Sequence, residues 1–217
     1  MRNRRSASRP TITPEQILAG YQQGYFPMAR GFQGPIDWFV AEPRTIIPLD
    51  ERFKVRRSLR KTMRKAAYDI RIDTAFVPVI RACARHHQLG DDEIWLSEEM
   101  IELYAELHRR GFAHSVEVWN AEGQLVGGLY GVALGSVFHG ESMFHHRADA
   151  SKVGFATLVA RLAASGYRLI DCQVPTAHLA SLGAFAVTRA DFLEALRLLR
   201  DRPPAADAFV TPASDGP

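Results

Sequence analysis

The sequence predicts an α+β (mixed α/β) domain with a small N-terminal annex. Three patterns predict it. Residues 13–111 carry repeated helix start and stop signals. Residues 114–144 switch to apolar alternation with period two, and from Asp149 onward helices and short buried strands take turns. Helices followed by a run of antiparallel strands, then helix, strand, strand, helix, make a layered sheet with helices packed on it.

Each element has a local reason. Thr13-Pro14-Glu15-Gln16 is a helix start, with Thr13 as cap, Pro14 at the first turn and Gln16 completing a capping box, and Gly24 is its stop. A short aromatic segment, Tyr25-Phe26-Pro27-Met28, and a loop rich in Gly and Pro lead to Pro43-Arg44, so residues 1–47 form the annex and its basic arm. Residues 56–67 read as a helix with Leu59 and Met63 on one face and basic side chains elsewhere, and 75–85 as a second helix. Ser97 caps a third, whose first turn holds Glu98 and Glu99 and whose end is marked by Arg109, Arg110 and Gly111. Strands follow at 115–119, 125–134 and 136–144. Asp149 caps a helix to about Ala164, 167–173 is a buried strand, and 178–182 is a helical turn. A strand at 185–187 precedes a helix at 189–200 capped by Thr188 and Asp191. The catalytic-size body therefore spans 48–203, and 204–217, rich in Pro, Ala and Asp, reads as a loose tail.

Composition excludes several classes. The 217 residues suffice for one sizeable domain with an annex. No apolar run approaches the roughly 20 residues needed to cross a bilayer. Arg2, Arg4 and Arg5 are followed by a polar, proline-broken stretch and not by the apolar core of a secretory signal. The two cysteines, Cys83 and Cys172, form no CxxC pair, which points away from a disulfide framework or structural zinc and fits a reducing compartment. The net charge of +3 hides an asymmetry. Arg52, Lys54, Arg56, Arg57, Arg60, Lys61, Arg64 and Lys65 are eight of the 27 basic residues, and no acid lies among them. The rest of the chain, 19 basic against 24 acidic, is net acidic. Such a stripe is either a footprint for a polyanion or a solvated helix face.

Polar residues inside strands are the candidate chemistry. Alternation places His139, Glu141, Met143 and His145 on one face of their strand, and Asp171 and Gln173 on one face of theirs. An acid within Leu169-Ile170-Asp171-Cys172-Gln173 is costly unless it is paired or used. His139, Glu141 and His145, with His146 nearby, also have a spacing open to a metal, but they come from one strand, and a site needs converging ligands. His114 reads as a satisfied structural histidine. Gly127, Gly128 and Gly131 mark a bulge or the close approach of a ligand or a neighbouring backbone. Trp95, after an acidic loop, serves either as a stacking platform for a base or as packing for the next helix.

The element order is compatible with a GNAT-like acyltransferase core. The Gly-rich turn that would cradle the pyrophosphate of coenzyme A is replaced by Arg147-Ala148-Asp149-Ala150-Ser151-Lys152, with an acid at the helix start. Further blocks stand in order along the chain: Gly24-Tyr25-Phe26-Pro27-Met28, Pro43-Arg44, His114 to Trp119, Leu125 to Gly131, Gly140-Glu141-Ser142-Met143-Phe144, Ala150-Ser151-Lys152, Ile170-Asp171-Cys172-Gln173 and Ser181-Leu182-Gly183-Ala184. Through these blocks, over about residues 15–200, the chain resembles the leucyl/phenylalanyl-tRNA–protein transferases. It departs from them at 38–44, in the acidic stretch before Trp95, at His145-His146, and in a short N-terminal region.

The resemblance implies a cytoplasmic aminoacyltransferase of the N-end degradation pathway. It would move leucine, phenylalanine or a similar residue from aminoacyl-tRNA to a protein beginning with Arg or Lys. It implies a monomer that needs no metal, coenzyme A or other cofactor and no membrane. It assigns Glu141, Asp171 and Gln173 to catalysis. It assigns Leu129, Phe138, Met143 and Leu158 to the aminoacyl pocket, and Met28, Trp38 and Trp95 to the adenosine end of tRNA. The basic residues Arg56, Arg57, Arg60, Lys61, Arg64 and Lys65 would meet tRNA phosphates. In the chemistry expected on this basis, Asp171 polarises Gln173, Gln173 accepts a hydrogen bond from the attacking amine, and Glu141 holds the cationic acceptor. Three rivals share parts of this pattern: an acyl-CoA transferase on the same core, a non-catalytic tRNA-binding module, and a strand-borne metal enzyme.

Overall fold

In the structure, a computed structural model, residues 12–31, 34–50, 60–61, 63, 68–88 and 96–210 are described. The chain starts with helix α1 (Pro14–Gln22), held by the capping box expected at Thr13 and Gln16. Strands β1 (Phe26–Ala29) and β2 (Ile36–Phe39) pair antiparallel as a hairpin beside it. Gly20 lets this hairpin close on α1, because a methyl group there would sit 2.1 Å from the Trp38 ring.

A seven-stranded sheet carries the rest. Its strands are β3 (Arg44–Pro48), β4 (Asp69–Ile72), β5 (Ala113–Trp119), β6 (Leu125–Leu134), β7 (Val137–His145), β8 (Leu169–Gln173) and β9 (Phe185–Val187), in spatial order β4-β5-β6-β7-β8-β3-β9. All neighbours are antiparallel except β7 and β8, whose parallel ladder ends at His139–Asp171. Strands β3 and β4 were not foreseen. They are short, begin at charged residues, and are strands because the sheet receives them. The annex boundary expected at residue 47 falls inside β3, so Arg44 belongs to the main sheet.

Helices cover both faces. α1, α2 (Phe76–Gln88) and α3 (Glu98–Arg109) bury one core with Tyr130, Val132 and Phe144. α4 (Ala150–Ala164) buries a second with Leu129, Phe138 and Ile170. The start of α2 is fixed by Glu117, fully buried, whose carboxylate accepts from the backbone N–H groups of Thr74 and Ala75. Ser97 caps α3 as expected. Asp149 stands at the start of α4, but its side chain does not cap. Its backbone is left-handed (φ 61), and its carboxylate pairs with Lys152 at 2.9 Å. α5 (Ala177–Ser181) and α6 (Arg189–Leu199) complete the chain up to the tail.

Two expectations are corrected here. Gly131 pairs with Gly140 and Tyr130 with Ser142, so Glu141 is the extra residue of a β-bulge. The bulge shifts the alternation. His139 and Glu141 lie toward the first core, beside Tyr21 and Tyr104, whereas Met143 lies in the second with Leu129. The tail expected to be loose from residue 204 is held down through Val210: Ala206 donates its N–H to the Ser165 carbonyl, and Arg161 bonds the carbonyls of Ala208 and Val210. Both alternatives for the glycines are met: Gly131 stands at the bulge, and all three lie where a neighbour comes too close for a side chain. A methyl on Gly127 would meet the Ala150 side chain at 2.7 Å, and one on Gly131 would meet the His139 carbonyl at 2.2 Å.

Gly131→Ala should therefore lower stability by about 1–3 kcal/mol through overpacking at the bulge. Denaturant titration measures it, and an unchanged midpoint would show that the bulge can open without penalty.

Candidate active site

The site is built on the ladder between β7 and β8. Asp171 is fully buried, and its carboxylate receives three side-chain donors. Arg44 reaches it with two parallel bonds, Nε to Oδ1 at 2.7 Å and Nη2 to Oδ2 at 2.6 Å. His139 Nδ1 lies 2.8 Å from Oδ2 and donates, since the carboxylate can only accept. Burial by itself would raise the Asp171 carboxyl, but the bonds from His139 and Arg44 outweigh it and hold it at about 2. Arg44 is 1% exposed and lies between the rings of Phe26 and Phe192, at 5.0 and 4.5 Å from their centroids. Its third nitrogen donates to the Gly24 carbonyl at 3.3 Å.

Asp171 does not polarise the Gln173 amide as expected. It accepts the Gln173 backbone N–H at 3.1 Å, so it sets the main chain of that residue. Gln173 has a left-handed backbone (φ 56), uncommon outside glycine, and this aims its side chain at β7. There Gln173 Nε2 donates to Glu141 Oε1 at 3.3 Å. The other oxygen of Glu141 accepts from the Tyr104 hydroxyl at 2.9 Å, and Tyr104 is joined to the Tyr21 hydroxyl at 2.5 Å. Loss of hydration dominates the Glu141 carboxyl and pushes it up to about 7, against the hydrogen bonds from Tyr21 and Tyr104, with the Asp171 charge adding to the rise. Two carboxylates in one site are thus driven apart, one held ionised and one poised near neutrality.

The other expected residues fall into three groups. Leu129, Phe138 and Leu158 are buried together in the second core, with Met143 packed against them and its sulfur 3.2 Å from His178 Nε2. Met28 packs against the first core, and Trp38 lies over Gly20, 38% exposed. Arg60 and Lys61 are exposed on a helical segment, and Met63 beside them packs on Val153 and Ala156. Trp95, Arg56, Arg57, Arg64 and Lys65 lie outside the described residues. The three residues weighed as metal ligands do not converge. His139 is committed to Asp171, Glu141 to Tyr104 and Gln173, and the exposed His145 has its ring against His86.

Sequence reasoning missed the roles of Arg44, Tyr21 and Tyr104. A signal existed for the first. A lone arginine opening the apolar run Thr45-Ile46-Ile47-Pro48 is as costly as the acid it meets. No signal existed for the tyrosines, which read as ordinary core positions of α1 and α3.

A mixed sheet with one parallel pair at its centre and the site at the end of that pair is a GNAT-like fold. The crystal structure of FemX shares the fold, with a TM-score of 0.51 and 11% identity, covering 76% of this chain and 64% of that one. The family profile of leucyl/phenylalanyl-tRNA protein transferase matches residues 46–197, and that of its N-terminal domain matches residues 11–40. Proteins bearing that name are similar over most of their length. The one from Stutzerimonas stutzeri is 51% identical over 90% of this chain and 85% of its own. The one from Herpetosiphon aurantiacus is 48% identical over 85% and 93%. The chain belongs to the leucyl/phenylalanyl-tRNA–protein transferase family and is an aminoacyltransferase.

Arg44→Met should cost about 3–5 kcal/mol at neutral pH, because it leaves the Asp171 charge buried and underpaired. The sign follows from the depressed carboxyl. In the native protein the contribution of Asp171 is present above its unfolded value near 3.8 and is lost as pH falls toward about 2. Stability curves against pH test both, and equal stability of Arg44→Met would remove the ion pair from its structural role.

Proposed function

We propose that the chain transfers a leucyl, phenylalanyl or similar hydrophobic aminoacyl group from aminoacyl-tRNA to the α-amino group of a protein beginning with Arg or Lys. The single observation that carries the reading is the Glu141–Gln173 pair at the end of the β7–β8 ladder, with the Glu141 carboxyl near 7. The reaction is aminolysis of an ester that already carries its activation, so positioning and proton management suffice.

In this reading the acceptor ammonium binds at Glu141 and gives it one proton. Gln173, whose NH2 is committed to Glu141, presents its amide oxygen to the freed amine. The amine attacks the ester carbon. As the C–N bond forms and the C–O bond breaks, the second amine proton passes to the departing ribose oxygen. Glu141 then releases its proton to water. Asp171 is a positioning residue, acting through the Gln173 backbone. Leu129, Phe138, Met143 and Leu158 form the apolar side toward the transferred side chain. Met28, Trp38 and Trp95 meet the terminal adenosine, and the basic segment 56–65 meets phosphates without reading sequence. No helix among the described residues is long and apolar enough to cross a membrane. The reading takes the protein as a cytoplasmic monomer.

The test is transfer of labelled leucine or phenylalanine from charged tRNA to an Arg-starting peptide, with acetyl-coenzyme A as the rival donor. Transfer from tRNA alone supports the reading; transfer from acetyl-coenzyme A alone, or from neither, sinks it.

For the wild-type chain, kcat/KM should rise with pH up to about 7 as Glu141 ionises. In Glu141→Gln it should fall about 10²–10⁴-fold, and what remains should follow only the acceptor amine, near 8. An unaltered profile in Glu141→Gln would mean that this carboxyl does not handle the proton.

A further inference from the structure

The tail from Ala205 to Val210 is built as a strap across the end of α4, and one side chain on it points inward. Phe209 is 7% exposed and belongs to the second core. Its ring stacks on His114 at 3.6 Å with planes 5° apart, and lies 5.8 Å from the Phe138 ring and 6.2 Å from that of Tyr167. His114 is itself fixed, its Nδ1 being 2.7 Å from Asp73 Oδ2. The main chain around Phe209 is pinned on both sides. Arg161 Nε donates to the Ala208 carbonyl at 2.7 Å and Nη2 to the Val210 carbonyl at 2.6 Å. Phe209 donates its own N–H to Asp207 Oδ1 at 2.8 Å, and Ala206 donates to the Ser165 carbonyl at 3.1 Å.

A merely space-filling tail would not need two of its carbonyls clamped by one arginine. The clamp gives Phe209 one position, and that position is behind Phe138. Packed interiors transmit such contacts because side chains have little room to yield. We propose that Phe209 sets the depth of the aminoacyl pocket by backing Phe138, so that the C-terminal strap is a specificity element for the transferred side chain. The inference rests on the reading of Phe138 as a pocket residue and adds to it a second layer supplied by the tail.

Shortening either ring lets the wall recede and gives larger donors more room. The experiment measures kcat/KM for leucyl- and phenylalanyl-tRNA with an Arg-starting peptide in Phe138→Leu, Phe209→Leu and, as a control on the strap, Val210→Ser, whose side chain faces solvent. The phenylalanine-to-leucine ratio should rise at least about fivefold in both Leu variants, within the range that a methylene's worth of pocket space commands. It should not change in Val210→Ser. The ratio is insensitive to a uniform loss of active protein, so an effect on folding alone does not move it. A shift in Phe138→Leu with none in Phe209→Leu overturns the inference and leaves the pocket standing. No shift in Phe138→Leu overturns the pocket assignment and the inference with it. Equal losses for both donors in Phe209→Leu make the strap structural only.

Discussion

A guanidinium that is 1% exposed is costly inside a protein unless a carboxylate faces it in good geometry. Arg44 and Asp171 meet this condition with two parallel bonds, and everything near the site is arranged to keep them there. Phe26 and Phe192 sandwich the guanidinium, Gly24 accepts its remaining reach, and His139 takes a place on the carboxylate. Six elements are thereby fixed to one another: the end of α1 through Gly24, β1, β3, β7 through His139, β8 and α6. Removing the charges from water carries a large penalty, so the pair contributes more to a single arrangement of these elements than to net stability. The annex and the sheet are in this sense one unit, joined at Arg44.

The same pair shapes the rest of the candidate site at second hand. Asp171 is sealed off, so it cannot touch a substrate, yet it holds the Gln173 N–H and with it a left-handed backbone. That backbone turns the Gln173 amide toward the bulge on β7, where Glu141 stands out of register. Were β7 regular, strict alternation would carry Glu141 and Met143 to the same face. The bulge separates them, placing the acid among tyrosine hydroxyls and the methionine among apolar side chains. A polar side and an apolar side of the site thus come from one strand two residues apart.

Electrostatics then differentiate the two carboxylates. Both lose hydration, which raises any acid. Asp171 has cationic and histidine donors and stays low, whereas Glu141 has only neutral hydroxyls and an amide and rises to about 7. The difference lies in the partners, not in depth. The tail adds a further layer on the apolar side, clamped to α4 and pressing an aromatic ring toward Phe138.

The sequence alone determined the helix caps at Thr13, Ser97 and Thr188, the three central strands and the polar residues that a plain core would not tolerate. These are local signals: a side chain bonding a backbone three residues on, or a period of two over several residues. Ordered blocks such as Gly140–Phe144 and Ile170–Gln173 carried the family likeness for the same reason. Only the tertiary structure decided that Arg44 is the partner of Asp171, 127 residues away, that Tyr104 and Tyr21 lead to Glu141, and that Phe209 lies behind Phe138. It also decided the short strands β3 and β4, which exist because a neighbour pairs with them, and the bulge, which exists because Gly131 faces Gly140. Pairings between distant residues have no period and no fixed spacing, so the chain names the groups that must be satisfied and the fold chooses which of them satisfy one another.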